Sequence, residues 1–198
     1  MGNKQSSTIE LPNIRLKTGL QEICHEFQKE NSETKALFGM SEKKLSELEM
    51  DEKMLEGIVR ACRIVNVYDG DTATIVYHNK GKLECHRFRI YGYDSPEMRI
   101  SSMYTKKKRH HVKKKALDAK KALSDFIKNK MLVVDIMGKD KYGRLLGKLY
   151  AFPGDITDKL SELHKYDVCK HMVSNGHGYP YESGKKNRLT FITRVFCP

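Results

Sequence analysis

The pattern of apolar and polar positions changes character near Gly57. Before this residue, apolar side chains recur at intervals of three and four, which is the spacing of amphipathic helices. One such set is Leu20, Ile23, Cys24 and Phe27, and another is Leu45, Leu48 and Leu55. After it, short runs of β-branched and aromatic residues alternate with turn residues, which predicts strands. We therefore expect a helical extension over residues 1–57 and a β-rich domain over residues 58–198.

Five segments of the second region carry the strand pattern, and five is the strand number of an OB-type barrel. They span residues 58–68, 72–77, 83–93, 132–137 and 145–152. Apolar residues from Val112 to Ile127 follow a helical period, and a second helix is predicted over residues 167–175 with Gly176 ending it. The expected fold is α+β: a five-stranded OB-fold β-barrel with flanking helices and an N-terminal helical extension.

The charge of the chain is concentrated in the predicted barrel region. The 198 residues carry a net charge of +12, but residues 1–60 hold 9 Lys/Arg against 11 Asp/Glu, which leaves +14 for the remainder. A domain this basic attracts polyanions, most commonly nucleic acid, although charge that merely aids solubility is the alternative. The densest basic run covers residues 106–115, and it fits either a solvated loop leading into a helix or a nucleic-acid contact.

The cysteines and the N-terminus bear on the compartment. The five cysteines are scattered without a Cys-x-x-Cys spacing, so we expect reduced thiols in an intracellular, reducing compartment rather than disulfides or a zinc site. No apolar run approaches the roughly 20 residues of a membrane span. The segment Met1 to Ser6 fits the N-myristoylation pattern, with Gly2 as the acceptor, and one such chain anchors only marginally. Weak membrane association is therefore the expectation, and no obligate protein partner is inferred.

Three turns between predicted strands concentrate the acids and arginines of the barrel. They are Tyr68-Asp69-Gly70-Asp71-Thr72, the segment from Arg89 through Asp94-Ser95-Pro96-Glu97, and Asp140-Lys141-Tyr142-Gly143-Arg144. The first turn alone is what an ordinary hairpin requires. In the second, Pro96 keeps Ser95 extended and ends the strand, so that Asp94 and Glu97 leave the barrel together.

Taken in this order and spacing, the three turns resemble the staphylococcal nuclease family, and the resemblance extends over about residues 60–186. It implies an OB-fold nuclease that uses Ca²⁺ to cleave DNA and RNA. By this resemblance Asp71, Asp94 and the main-chain carbonyl of Ser95 hold the ion, with Asp69 in the outer shell. Oxygen ligands completed by water are what Ca²⁺ prefers.

The resemblance also implies roles for the remaining polar residues. Phosphodiester hydrolysis needs a hard cation, donors for the phosphoryl oxygens and a base for water. The implied phosphate-binding residues are Arg89 and Arg144, the residue that positions or deprotonates water is Glu97, and the substrate contacts are Lys141, Tyr142, Tyr179 and Tyr181. Packing in the core is an alternative for the last two tyrosines. A non-catalytic module that binds nucleic acid or protein is the alternative function. A third is a membrane-peripheral structural protein with a vestigial site.

Overall fold

The computed structural model describes residues 16, 18–23, 25–26, 32–46, 48, 57–154 and 164–181. The predicted lipid acceptor Gly2 lies outside the described residues, as do Cys24, Phe27 and Leu55 of the predicted helical pattern. Among the helices of the described ranges, none combines the length and apolar character needed to cross a membrane.

Five strands close into a barrel, as the sequence predicted. In spatial order they are β1 (Ile58–Val67), β2 (Thr72–Asn79), β3 (Lys82–Ile90), β6 (Leu145–Phe152) and β5 (Met131–Lys139). Strands β3 and β6 run parallel, and the other neighbours are antiparallel. The predicted fold class, an α+β OB-fold barrel with flanking helices, is confirmed.

Two helices close the barrel interior. Helix α3 (Lys106–Ile127) places Ala119 and Leu123 on the core, and helix α4 (Val168–Ser174) adds Val168 and Met172. Asp167 caps α4 by accepting a hydrogen bond from the Cys169 amide at 2.8 Å, and Gly176 follows with a φ of 72°. This second helix is where the capping pattern predicted it.

The described helical residues before Gly57 pack on the barrel. Helices α1 (Glu33–Gly39) and α2 (Glu42–Ser46) bury Leu37 and Leu45 against Val76 and Cys85. Helical residues among positions 16–26 form a second apolar cluster with β1, β5 and β6, in which Leu20 is fully buried. Each fully buried leucine contributes about 1.5–3 kcal/mol by its removal from water. These helices therefore contribute to the stability of the barrel.

Two boundaries differ from the sequence prediction. Strand β3 ends at Ile90 because Gly92, with a φ of 100°, turns the chain, and β4 (Tyr93–Asp94) pairs instead with β7 (Tyr179–Pro180). Helix α3 begins at Lys106, so of the two alternatives for the basic run the solvated loop is wrong, because residues 106–115 are helical. Thr105 caps this helix, and lysine and arginine favour helical backbone without any apolar period.

Candidate active site

The turn between β1 and β2 is held rigidly against α3. The Asp69 carboxylate accepts a hydrogen bond from the Asp71 amide at 3.1 Å, and the Tyr93 hydroxyl donates to the Gly70 carbonyl at 2.6 Å. A Cβ atom on Gly70 would lie 2.7 Å from the Cβ atoms of both Ala119 and Ser95. Only glycine fits this approach, so the Asp-Gly-Asp turn is fixed to the middle of α3.

Two aspartates converge on one arginine at this end of the barrel. The Arg89 guanidinium contacts the Asp71 carboxylate through Nη1 and the Asp94 carboxylate through Nη2. The same Nη2 donates to the Tyr93 carbonyl at 2.9 Å. Asp71 is buried, whereas the Asp94 side chain is 27% exposed. Arg89 thus offsets the repulsion between two carboxylates that come from different turns.

The turn between β5 and β6 orients a second arginine. Asp140 accepts hydrogen bonds from the Tyr142 amide at 2.8 Å and from the Arg144 amide at 3.0 Å. Its other oxygen accepts from Arg144 Nε at 2.6 Å, and Arg144 Nη1 donates to the Thr72 hydroxyl at 3.1 Å. The Arg144 side chain is 27% exposed. Asp140 therefore fixes the direction of this guanidinium while part of it still faces solvent.

Thr72 connects the two arginines. Its hydroxyl accepts from Arg144 and donates to the Asp71 carboxylate at 3.0 Å. The contacts run without a break from Arg144 through Thr72 and Asp71 to Arg89 and Asp94. Sequence reasoning assigned no role to Thr72 or Asp140, although both stand in the motifs that it singled out.

Two other predicted residues lie beside this chain of contacts. Ser95 is buried, and its amide donates to the Asp71 carboxylate at 2.6 Å; the ligand role predicted for its carbonyl stays a prediction. Glu97 is exposed after Asp94 and Pro96. Within the part of the chain that the structure describes, no hydrogen bond or ion pair holds its carboxylate, which is therefore free to contact water or substrate.

The predicted contacts to a terminal phosphate lie on the same turn as Arg144. Tyr142 is 71% exposed, and its ring centroid lies 4.9 Å from Lys141 Nζ and 5.5 Å from Arg144 Cζ. Lys141 is also exposed. The aromatic ring and the two cations form one accessible surface next to the arginine.

The tyrosines after α4 are brought to the site through their backbone. Tyr179 pairs with Asp94 in the β4–β7 sheet, and the Tyr181 amide donates to the Gly92 carbonyl at 2.9 Å. Gly178 packs so tightly on the Tyr93 ring that a Cβ atom there would overlap it. Both Tyr179 and Tyr181 are half-buried, so part of each remains accessible and part packs on the protein. Stacking on a base stays a prediction for both.

Burial alters two ionisable groups of the site. Burial raises the pKa of Asp69 above its ordinary value, and the charges of Arg89 and Arg144 and the hydrogen bonds to Thr72 oppose that rise. Burial also raises the pKa of Tyr93 well above its usual range, so that the hydroxyl stays protonated and can donate to Gly70.

The oxygen-rich donor set fits a hard cation. The Asp71 and Asp94 carboxylates both contact the Arg89 guanidinium, which is a cation. The Asp69 carboxylate accepts a hydrogen bond from the Asp71 amide next to them. No cluster of three or more metal-binding side chains is gathered in the described ranges. Carboxylate oxygens are ligands that hard cations such as Ca²⁺ prefer, whereas zinc sites in proteins use mainly nitrogen and sulfur ligands.

Comparison with known proteins supports the family resemblance that the sequence motifs indicate. A family model described as staphylococcal nuclease homologue matches residues 87–190, just over half of the chain. The match begins within β3 and includes Arg89, Asp94, Glu97 and Arg144, whereas Asp71 precedes it. A search of curated proteins finds no match. On the family match and the closed five-stranded barrel, the chain belongs to the staphylococcal nuclease homologue family.

Proposed function

We propose that this protein is a calcium-dependent nuclease that hydrolyses phosphodiester bonds of DNA or RNA. The observation that carries the proposal is the continuous set of contacts from Arg144 through Thr72 and Asp71 to Arg89 and Asp94. None of the five side chains belongs to the apolar core cluster, so the packing of that core does not account for the arrangement.

The two arginines suit the charge of the substrate. A phosphodiester repels nucleophiles through its anionic oxygens, and the planar guanidinium can bind two of these oxygens at once. Asp140 and Thr72 fix Arg144 in advance, which lowers the reorganisation needed when negative charge develops. Arg89 contacts both Asp71 and Asp94. A metal ion would therefore compete with Arg89 for the two carboxylates, and a phosphate would compete with the carboxylates for Arg89.

The acids divide into two roles. Asp71 and Asp94 would hold Ca²⁺, together with the Ser95 carbonyl and with Asp69 in the outer shell. The ion, when bound, would polarise the phosphoryl group and lower the pKa of bound water. Glu97, whose carboxylate is exposed, would accept the proton of the attacking water.

Four side chains would contact the substrate outside the reacting phosphate. Lys141 and Tyr142 would contact a terminal phosphate, and Tyr179 and Tyr181 would support a base by stacking. Stacking tolerates any base, because each presents a π-face. We therefore expect little sequence preference.

The direct test is digestion of single-stranded DNA, duplex DNA and RNA with Ca²⁺ and with a chelator. We expect cleavage only with Ca²⁺, and little turnover with Mg²⁺, which demands stricter octahedral geometry. The double variant Asp71→Asn with Asp94→Asn is the inactive control. Full activity in chelator would refute the metal dependence, and binding of nucleic acid without cleavage under every condition would establish the non-catalytic alternative.

A further inference from the structure

The first turns of α3 are exposed rather than packed on the barrel core. Residues 106–111 include no buried residue, and the buried positions of the helix begin at Val112. Their sequence is Lys-Lys-Lys-Arg-His-His, followed after Val112 by three more lysines. Packing against the core therefore cannot explain why this segment is helical or why it is so basic.

The charge also opposes the local electrostatics of the helix. The first turn of α3 holds cations and no acid, although the N-terminal end of a helix dipole favours anions. Within the described ranges, no ion pair or hydrogen bond to the side chains of Lys106, Lys107, Arg109 or Lys113 offsets this repulsion. The only ion pair formed within α3 among the described residues lies farther along, between Lys121 and Asp125. The side chains of those four basic residues are exposed, so an external anionic partner can reach them.

The same helix meets the candidate active site directly. Ala119 lies against Gly70 of the Asp-Gly-Asp turn, as the tight spacing of their Cβ positions shows. From Ala119 to Lys106 the helix advances by about 20 Å, at 1.5 Å per residue. A nucleic-acid strand leaving the site could follow that length and place several phosphates beside the basic side chains, since duplex phosphates recur about every 3.4 Å along each strand.

We propose that the exposed basic face of α3, comprising Lys106, Lys107, Arg109, Lys113 and Lys114, binds the phosphate backbone of the substrate strand that flanks the scissile bond. This inference rests on the proposed nuclease function and adds to it a preference for long polynucleotides. A protein partner that grasps an amphipathic helix does not fit, because the apolar side of α3 is already packed in the barrel. An anionic lipid surface is the competing partner that the experiment must separate.

The test compares the full-length protein with two variants of equal net charge. The first replaces Lys106, Lys107, Arg109 and Lys113 by Gln, which preserves helix propensity. The control replaces four exposed lysines elsewhere, Lys35, Lys44, Lys80 and Lys128, by Gln. Circular dichroism and thermal melting establish that both variants are folded. Affinity for a labelled single-stranded 30-mer is then measured by fluorescence anisotropy against salt concentration, in chelator.

We expect the α3 variant to bind the 30-mer at least about tenfold more weakly than the control at 0.1 M salt, with a log–log salt slope lower by about 3, since each phosphate contact to a single strand contributes about 0.7. In Ca²⁺, its kcat/KM should fall for the 30-mer and stay within about twofold for a trinucleotide, because three nucleotides at about 3.4 Å each cover only about half of the roughly 20 Å between Ala119 and Lys106. Equal affinity and equal slope for the two variants would overturn the proposal.

Two further results separate the possible failures. If wild type and both variants cleave the 30-mer and bind it equally, the proposed role of α3 is refuted and the proposed nuclease function is retained. If no protein cleaves the 30-mer but the α3 variant binds it more weakly than the control, the proposed nuclease function is refuted and α3 is retained as a nucleic-acid contact. If the α3 variant lost binding to phosphatidylserine vesicles but bound the 30-mer like the control, the lipid surface would replace the proposed partner.

Discussion

Strands β2 and β3 carry two polar clusters, one toward each end of the same antiparallel pair. At one end Thr72 stands opposite Arg89, and toward the other Tyr77 stands opposite Glu84, five residues and about 17 Å away along the strand. Both clusters contain carboxylates held by donors from neighbouring strands. They differ in what surrounds those carboxylates.

The Glu84 cluster is closed. The Glu84 carboxylate accepts from the Tyr77 hydroxyl at 3.1 Å and from the Asn79 side-chain amide at 3.0 Å, and His86 Nε2 lies 3.3 Å away. The Glu84 and His86 side chains are only 4% and 3% exposed. Every partner of Glu84 named here belongs to the same pair of strands, so the cluster serves to stabilise the barrel interior.

The cluster around Arg89 is open on one side. Asp94 and Arg144 are each 27% exposed, and Glu97 extends into solvent. Arg89 comes from β3 and the other charges come from three separate turns, and Asp94, Glu97 and Arg144 are accessible to an incoming ion or phosphate. The charges around Arg89 are therefore accessible to a ligand, whereas the equally polar Glu84 cluster is enclosed within two strands.

The largest effect should follow from Glu97→Gln. If Glu97 accepts the proton of water, turnover at neutral pH should fall by about 10²- to 10⁴-fold, and the deficit should shrink at high pH, where hydroxide replaces the base. The measurement is kcat against pH, with Glu42→Gln, an exposed glutamate on α2, as the control. A deficit that stays constant with pH would assign Glu97 to positioning alone.

Next in size is Arg144→Lys. A lysine cannot reproduce the two-pronged contact of the guanidinium, so kcat should fall by about 10²-fold while the free energy of unfolding is preserved. Arg87→Lys, an exposed arginine on β3, is the matched control and should retain wild-type turnover. Near-normal kcat in Arg144→Lys would transfer the transition-state role to Arg89.

The closed cluster should respond in the opposite way. Glu84→Leu removes the carboxylate that accepts from the Tyr77 hydroxyl and the Asn79 amide, which should lower the free energy of unfolding by about 1–3 kcal/mol. Turnover of the folded fraction should not change. Urea denaturation and kcat are measured together, with Glu84→Gln as the milder substitution. A loss of kcat without a loss of stability would contradict the structural role.

The smallest effect should come from Tyr142→Phe, which removes only a hydroxyl from the exposed ring. One lost hydrogen bond of about 0.5–1.5 kcal/mol corresponds to a KM increase of roughly two- to tenfold for oligonucleotides that carry a terminal phosphate. Oligonucleotides without that phosphate should show the same KM as with wild-type protein. An equal increase for both kinds of substrate would argue against the terminal-phosphate contact.

Much of the fold could be predicted from local pattern. Strands with an alternating or continuous apolar pattern, such as β2 and β6, were located to within two residues, and Asp167 and Gly176 marked the limits of α4. The acids and arginines of the three turns were identified from the order and spacing of the motifs and from the family resemblance that these motifs carry. That the turns meet at one end of the barrel follows from the barrel closure observed in the structure.

The features that sequence reasoning missed lack such a pattern. Residues 106–111 are helical without an apolar face, because a cap and intrinsic propensity suffice there. Sheet β4–β7 has two residues in each strand, too few to show a period. Glu84 and His86 are polar residues that point into the barrel, against the usual direction of the alternation. The links through Thr72 and Asp140 depend on distances that no sequence spacing specifies.

The central claim is that Asp71 and Asp94 form a calcium-dependent cleavage site, and the most direct test is the cleavage rate of a single-stranded oligonucleotide against free Ca²⁺. Wild type and Asp94→Asn are compared at saturating substrate, with Asp118→Asn on the exposed side of α3 as the control. We predict saturable activation by Ca²⁺ in wild type and in the control, and a half-saturating concentration at least about tenfold higher in Asp94→Asn, since Ca²⁺ affinity depends on the number of charged ligands. Identical calcium dependence in all three proteins would contradict the claim.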